Sequence, residues 1–247
     1  MINIALFTGS RSDFGLLKNL SLSLDADQNI SFTLIVSGNH FSESHGLTFR
    51  EIEHHNFTNI VKVPLDYFDG EPISLSHSCS EAISKLSEQL RLLNPDILCV
   101  LGDRYEAFAA ATSAFLSNIK VAHFHGGETT LGAVDETFRH CITHLSSFHF
   151  TSALIHQQRV STLVPECKHV YNIGPMVLDS LYHHNDIRAH SFSLQTGYCF
   201  SQKNILVSFH PVTLENDFGL FAFKNLLSVI SELDCNILFT APNGDVG

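Results

Sequence analysis

The sequence predicts an α/β fold built on a doubly wound parallel sheet. Two observations point there. Short continuous apolar runs, rich in β-branched residues, recur at 2–7, 32–36, 60–63, 97–101, 119–124, 205–209 and 236–240. Runs of this kind suit strands buried on both faces, as in parallel sheets. Longer amphipathic stretches separate them, and strand–helix alternation is the pattern of this class.

The elements follow in order. The run at 2–7 leads into Thr8-Gly9-Ser10-Arg11-Ser12-Asp13-Phe14-Gly15. Glycine permits a tight turn there, and the next helix would present free N–H groups to an anion. The segment has no G-K-[ST], so it is not a Walker A loop. Residues 75–93 place Cys79, Ala82, Ile83, Leu86, Leu90 and Leu93 at spacings of three and four, which predicts a helix. Asn94-Pro95 stops it just before the strand at 97–101. Residues 104–117 repeat the helical pattern with Ala107, Phe108, Ala111, Ala114 and Phe115. The stretch 183–203 is the weakest for regular structure and reads as a boundary. Only a strand, a helix at about 216–233 and another strand follow it. The expected organisation is a Rossmann-like domain at 1–182, a linker region at 183–203, and the start of a second, incomplete Rossmann-like domain at 204–247.

Length and composition agree with that reading. At 247 residues the chain exceeds one ordinary domain of about 100–200 residues but is short for two. It is 44% hydrophobic and 16% charged, too apolar for wholesale disorder. Its net charge of −11 argues against wrapping nucleic acid, which needs a basic face. No apolar run approaches the roughly 20 residues of a membrane span. Met1–Phe7 has no signal-peptide pattern and reads as the first strand of a cytoplasmic protein. The six cysteines form no C-x-x-C pair and read as reduced thiols.

In open α/β sheets, ligands bind outside the carboxyl ends of the strands. Polar residues that follow strands are therefore the candidates. Arg11 is the only cation among the first seventeen residues. Asp103 and Arg104 follow the run at 97–101. His125-Gly126-Gly127-Glu128 follows the run at 119–124. His123, His125 and Glu128 would suit a metal only if the strand continued far enough for both histidines to share a face. Asp135 and Arg139 are spaced i,i+4 on the next helix, so the simplest reading of them is a helix-surface pair. His210 follows the run at 205–209 and precedes a proline that ends it. Arg11, Asp103, Arg104, Glu128 and His210 are expected to converge on one rim. Carboxylates, a His and arginines together suit acid–base work beside an anionic ligand such as a diphosphate.

These motifs, with Asp135-Glu136, Arg139-His140, Asn172-Ile173-Gly174 and His210-Pro211-Val212-Thr213, resemble the hydrolysing UDP-N-acetylglucosamine 2-epimerases. The resemblance runs in order from residue 2 to 247. The related non-hydrolysing enzymes carry G-T-R-P-E and H-V-E-A-G in place of Arg11-Ser12-Asp13 and His125-Gly126-Gly127-Glu128.

The resemblance implies two Rossmann-like domains arranged as in the GT-B glycosyltransferases, with a site in the cleft between them. It implies a UDP-sugar substrate, homodimer or homotetramer assembly, and no metal or nicotinamide cofactor. The reaction would convert UDP-N-acetylglucosamine and water to UDP and N-acetylmannosamine, through 2-acetamidoglucal, for sialic acid-type sugar synthesis. By position, Asp103, Glu128, Asp135 and His210 match catalytic residues. Arg11, Arg104, His210 and Asn243 match substrate contacts. The family's G-N-S-S-S/C-G segment is not in this sequence, so the 247-residue chain alone is expected to release little or no UDP. Three alternatives stand beside this reading: a relative acting on UDP-2,4-diacetamido-2,4,6-trideoxy-glucose, a non-catalytic dimerising remnant, and half of a GT-B glycosyltransferase.

Overall fold

A computed structural model describes residues 1–43, 45–65, 72–130, 132–182, 188–210, 217 and 219–240. Packing divides the chain into two units, Met1–Leu131 with Asp135–Tyr182, and Gly132–Val134 with His183–Gly247.

The first unit begins with β1 (Ile2–Thr8), α1 (Arg11–Ala26), β2 (Ile30–Ser37), a 3-10 turn at Gly38–Phe41, α2 (Phe49–Glu53) and β3 (Ile60–Val63). It continues with α3 (Pro72–Leu93), β4 (Ile97–Leu101), α4 (Tyr105–Leu116), β5 (Lys120–Phe124) and α5 (Asp135–Leu145). It closes with β6 (Phe148–Thr151), α6 (Leu154–Leu163), β7 (Val170–Asn172) and α7 (Val177–Tyr182). The strands form one sheet in the order β3-β2-β1-β4-β5-β6-β7, and every pairing is parallel. The chain winds outward from β1 to β3, returns to place β4 beside β1, and winds outward again. That reversal opens a crevice at the carboxyl ends of β1 and β4.

Strand periodicity distributes the core over both faces. Ala5, Phe7, Ile35, Leu98, Val100 and Val121 pack on one side. Leu6, Leu34, Val36, Cys99, Ala122 and Phe124 pack on the other. Helices α3 and α4 cover the first face and α1 the second. Helix α4 is buried along much of its length, and Ala107, Ala109, Ala110, Ala111 and Ala114 let it sit close to the sheet and to α3. Asn94 ends α3 in the left-handed region at φ 43°, as Asn tolerates better than most residues.

Strands β6 and β7 were not among the expected runs. They have four and three residues, and His149, Tyr171 and Asn172 interrupt their apolar character. Pairing of β6 with β5, and of β7 with β6, supplies what their own composition does not.

The second unit carries α8 (Ala189–Thr196), β8 (Asn204–Val207), α9 (Leu220–Ile230) and β9 (Asn236–Phe239). β8 and β9 pair in parallel as a separate two-stranded sheet. The segment 183–203, expected to lack regular structure, holds α8, which Gly197 ends in the left-handed region at φ 74°. No helix among the described residues is long and apolar enough to cross a membrane.

Candidate active site

The site is built where three loops leave the carboxyl edge of the large sheet. The loop after β4 carries Gly102-Asp103-Arg104, the loop after β5 carries His125-Gly126-Gly127-Glu128, and the loop after β1 carries Gly9 and Ser10 and leads into Asp13 of α1. Helix α5 brings Arg139 beneath the first two.

Arg139 organises the carboxylates. Its side chain is 6% exposed, yet it pairs with Asp103 through Nη2. The same Nη2 donates to Thr130 Oγ1 at 3.0 Å, and Nη1 donates to Glu136 Oε2 at 2.9 Å. Glu136 Oε2 also accepts the Thr130 N–H at 2.7 Å, and its Oε1 lies 3.1 Å from His140 Nε2. The i,i+4 surface pairing of Arg139 with Asp135 expected from spacing is therefore corrected. Arg139 turns inward and is held by Asp103 from another element. Burial raises the Asp103 pKa above the ordinary carboxylate value. Arg139 and Arg104 pull it back, and the Glu128 charge adds to the rise.

Glu128 sits between two partners. Its Oε1 accepts a hydrogen bond from the Ser152 hydroxyl and lies 3.2 Å from His125 Nδ1. Burial lowers the His125 pKa, which Glu128 partly restores. Gly127 turns this loop at φ +80°, where a Cβ would stand 2.5 Å from the His156 carbonyl oxygen; only glycine lets the backbone pass so close to α6. Arg159 and His156 of α6 both hold the Gly127 carbonyl.

β5 ends at Phe124, and His125 is in the left-handed region at φ 61°. His123 and His125 thus do not continue one strand face. His123 is fully buried, with Nε2 2.8 Å from the Gly102 carbonyl oxygen and Nδ1 3.3 Å from Thr143 Oγ1. Among the described residues no group of three or more His, Cys, Asp or Glu is placed to hold a metal ion.

At the crevice itself, Arg104 places Nε and Nη2 at 3.3 and 3.4 Å from the two carboxylate oxygens of Glu106. The Arg104 side chain is 25% exposed and that of Glu106 is wholly buried. Asp13 Oδ2 accepts the Gly9 N–H at 3.3 Å. Burial pushes the Asp13 pKa up to about 6, with Arg104 opposing and Glu106 reinforcing the rise.

Of the remaining expected residues, Arg11 and Asp135 belong to the same unit and His210 to the second. Arg11 begins α1, but its side chain is 75% exposed and its Nε is 3.7 Å from Glu51 of α2. Asp135 begins α5, half-buried and one turn before Arg139. His210 is exposed in the second unit, with Nε2 3.3 Å from Ser208 Oγ. Asn243 falls outside the described residues. Within the first unit, Asp103, Arg104 and Glu128 stand around the ends of neighbouring strands. Arg139, read from sequence only as a helix-surface residue, joins them, as do Glu106 and Ser152, which were not singled out as site residues. Each is polar on a helix or just after a strand, a pattern that usually marks a solvated surface.

Three buried histidines give the unit a pH signature. Burial lowers His40 to about 4, His123 to about 3 and His149 to about 4. A folded pKa below the ordinary 6.5 means that folding favours the neutral ring. The stability this contributes is complete above about pH 6.5 and lost as pH falls toward 3–4. Asp13 acts in the opposite sense, because its raised pKa favours the protonated fold between about 6 and 3.8. With these three histidines and His125 in one sense against Asp13 and Asp103 in the other, the denaturation midpoint is expected to fall steadily from pH 7 to pH 4.5 at constant ionic strength. A flat profile over that range would contradict the burial argument. His149→Phe is expected to flatten the slope, since it removes one of the three buried rings whose protonation folding opposes.

The comparisons with known proteins converge. A family model described as UDP-N-acetylglucosamine 2-epimerase matches residues 22–247. The chain is 33% identical over 243 residues to the GDP/UDP-N,N'-diacetylbacillosamine 2-epimerase (hydrolyzing) of Campylobacter jejuni, covering 98% of this chain and 63% of that protein. It is 31% identical over 252 residues to the UDP-N-acetylglucosamine 2-epimerase of Neisseria meningitidis, covering 100% of this chain and 64% of that protein. The chain thus spans less than two thirds of the length of these curated relatives. The crystal structure of UDP-GlcNAc 2-epimerase from Neisseria meningitidis bound to UDP-GlcNAc matches with a TM-score of 0.76 at 19% identity, over 97% of this chain and 66% of that one. At that identity the likeness speaks to the fold, which is GT-B-like.

Proposed function

The chain belongs to the UDP-N-acetylglucosamine 2-epimerase family, and on that premise we propose that the protein carrying it is a hydrolysing 2-epimerase. It converts UDP-N-acetylglucosamine and water to UDP and N-acetylmannosamine in a cytoplasmic route to sialic acid-type sugars. The observation that carries this reading is the pairing of Asp103 and Glu128. Two partly buried carboxylates leave neighbouring strands at the carboxyl edge, each tied to a second ionisable group.

The chemistry runs in two steps. A carboxylate removes the C2 proton, the C1–O bond breaks, and UDP departs with the electron pair, leaving 2-acetamidoglucal. Water then adds its hydroxyl to C1 while a proton returns to C2 on the opposite face. The C2–H is far too weak an acid for a carboxylate alone, so stabilisation of the charge on departing UDP must share the work. Asp103, Glu128 and Asp135 form the proton-transfer set. Arg104 serves the diphosphate, and Arg11, His210 and Asn243 are the further substrate contacts that the family resemblance assigns. These steps move only protons and the C1–O electron pair, and the family resemblance implies neither nicotinamide nor metal.

A second reading keeps the reaction and changes the sugar. It takes UDP-2,4-diacetamido-2,4,6-trideoxy-glucose, and the name of the Campylobacter relative favours it. Both sugars present the same 2-acetamido group and C2 proton to the carboxylates; they differ at C4 and C6. Incubating the protein with each nucleotide sugar in D2O tests both readings. The expected result is UDP release with deuterium at C2 of the product from one of them. Release of UDP without deuterium at C2 would exclude the elimination route.

A further inference from the structure

We infer that Glu106 is a positioning residue that holds the Arg104 guanidinium at the crevice between β1 and β4. The inference rests on the functional reading above, in which Arg104 meets the substrate diphosphate.

The geometry is specific. Glu106 is the second residue of α4, and residues two apart on a helix do not face each other. The pair forms because Arg104 stands just before the helix with extended backbone angles, φ −63° and ψ 154°. Its side chain can therefore turn back over the first turn. Both Glu106 oxygens then face the guanidinium, one toward Nε and one toward Nη2. This fork fixes the plane of the guanidinium as well as its position. Arg104 remains partly exposed while Glu106 is sealed, so the carboxylate supports the arginine from its buried side.

The surrounding backbone is shaped for the buried carboxylate. Gly38, in the left-handed region at φ +56°, leaves room beside it: a Cβ there would stand 3.0 Å from Glu106 Oε1 and 2.6 Å from the Gly9 carbonyl oxygen. The Asn39 N–H donates to that Gly9 carbonyl at 2.8 Å. The ends of β1 and β2 thus close over Glu106. A buried ion pair is weak as a source of stability, because desolvation offsets its attraction. Holding an arginine in one orientation for an anion is a use that this cost can serve.

The test is a double-mutant cycle in the full protein that carries this chain. Glu106→Gln keeps the shape and removes the charge that holds the fork. It is expected to lower kcat/KM for the accepted UDP-sugar by about tenfold or more, the scale of one lost charged contact. In an Arg104→Met background the same change is expected to add less than about twofold, since it acts through Arg104. Two results overturn the inference: losses that multiply in the double variant, or a Glu106→Gln protein with unchanged kcat/KM. If Glu106→Gln does not fold, Glu106→Asp, which keeps the charge and withdraws it by one methylene, enters the same cycle with the same criteria. Wild-type protein that turns over neither UDP-sugar would defeat the functional reading. Turnover that is indifferent to Glu106 would defeat only the positioning role.

Discussion

Asp103→Asn is expected to lower kcat/KM for the accepted UDP-sugar by about 100- to 10,000-fold, the range that a positioned general acid or base supplies. The substitution keeps the side chain's shape and an oxygen that still accepts from Arg139. It removes the capacity to take up a proton at a useful pKa, together with the negative charge that faces Arg139. Burial raises that pKa while Arg139 and Arg104 restrain it, so Asp103 is a stronger base than an exposed carboxylate and yet remains ionisable. The acid limb of the wild-type pH–rate profile is accordingly expected above the ordinary carboxylate value of 3.8. Coupled measurement of UDP release gives the rate, and a thermal melt verifies the fold. A folded variant within threefold of wild type would remove Asp103 from proton transfer. Glu128→Gln supplies the comparison. If one variant releases UDP but accumulates 2-acetamidoglucal, its residue serves the hydration step, and the other serves the elimination.

Arg139→Met is expected to cost about 3–5 kcal/mol of stability, the usual result of removing one partner from a buried ion pair. Two carboxylates, Asp103 and Glu136, depend on this one guanidinium. Met retains the apolar stem but leaves both without their cation in a site that water reaches poorly. The Asp103 pKa is expected to rise further, because the largest influence lowering it is gone. Denaturant unfolding at pH 7 and pH 5.5 checks both effects. The loss relative to wild type should narrow as pH falls, because protonation of a raised Asp103 removes its unpaired charge. A loss under 1 kcal/mol would mean that Arg139 is no more than a surface residue.

The sheet was largely legible in advance. Five of the seven strands in the large sheet announce themselves as apolar runs, because a strand covered on both faces must be apolar along its whole length. β6 and β7 were not legible, since three or four residues with polar interruptions carry no period. The site was legible in part. Asp103, Arg104 and Glu128 stand immediately after apolar runs, and in this class of sheet that position is the ligand-facing rim. Arg11 shares the position by sequence but turns to Glu51, because it heads a helix whose first residue lies at the protein surface.

The order of apolar and polar residues was enough to dictate a parallel, doubly wound unit and the edge where its chemistry would gather. It could not say which charge meets which. A helix pattern names neighbours only at three and four residues, and by that rule Arg139 belongs with Asp135. In the folded chain Arg139 instead meets Asp103, 36 residues earlier, because β4 and α5 approach one another only after β5 has paired with β4. The same holds for Ser152 and Glu128, joined across the β5–β6 pairing. Burial, and with it every shifted pKa in the site, depends on those long-range approaches and was therefore decided by tertiary structure alone.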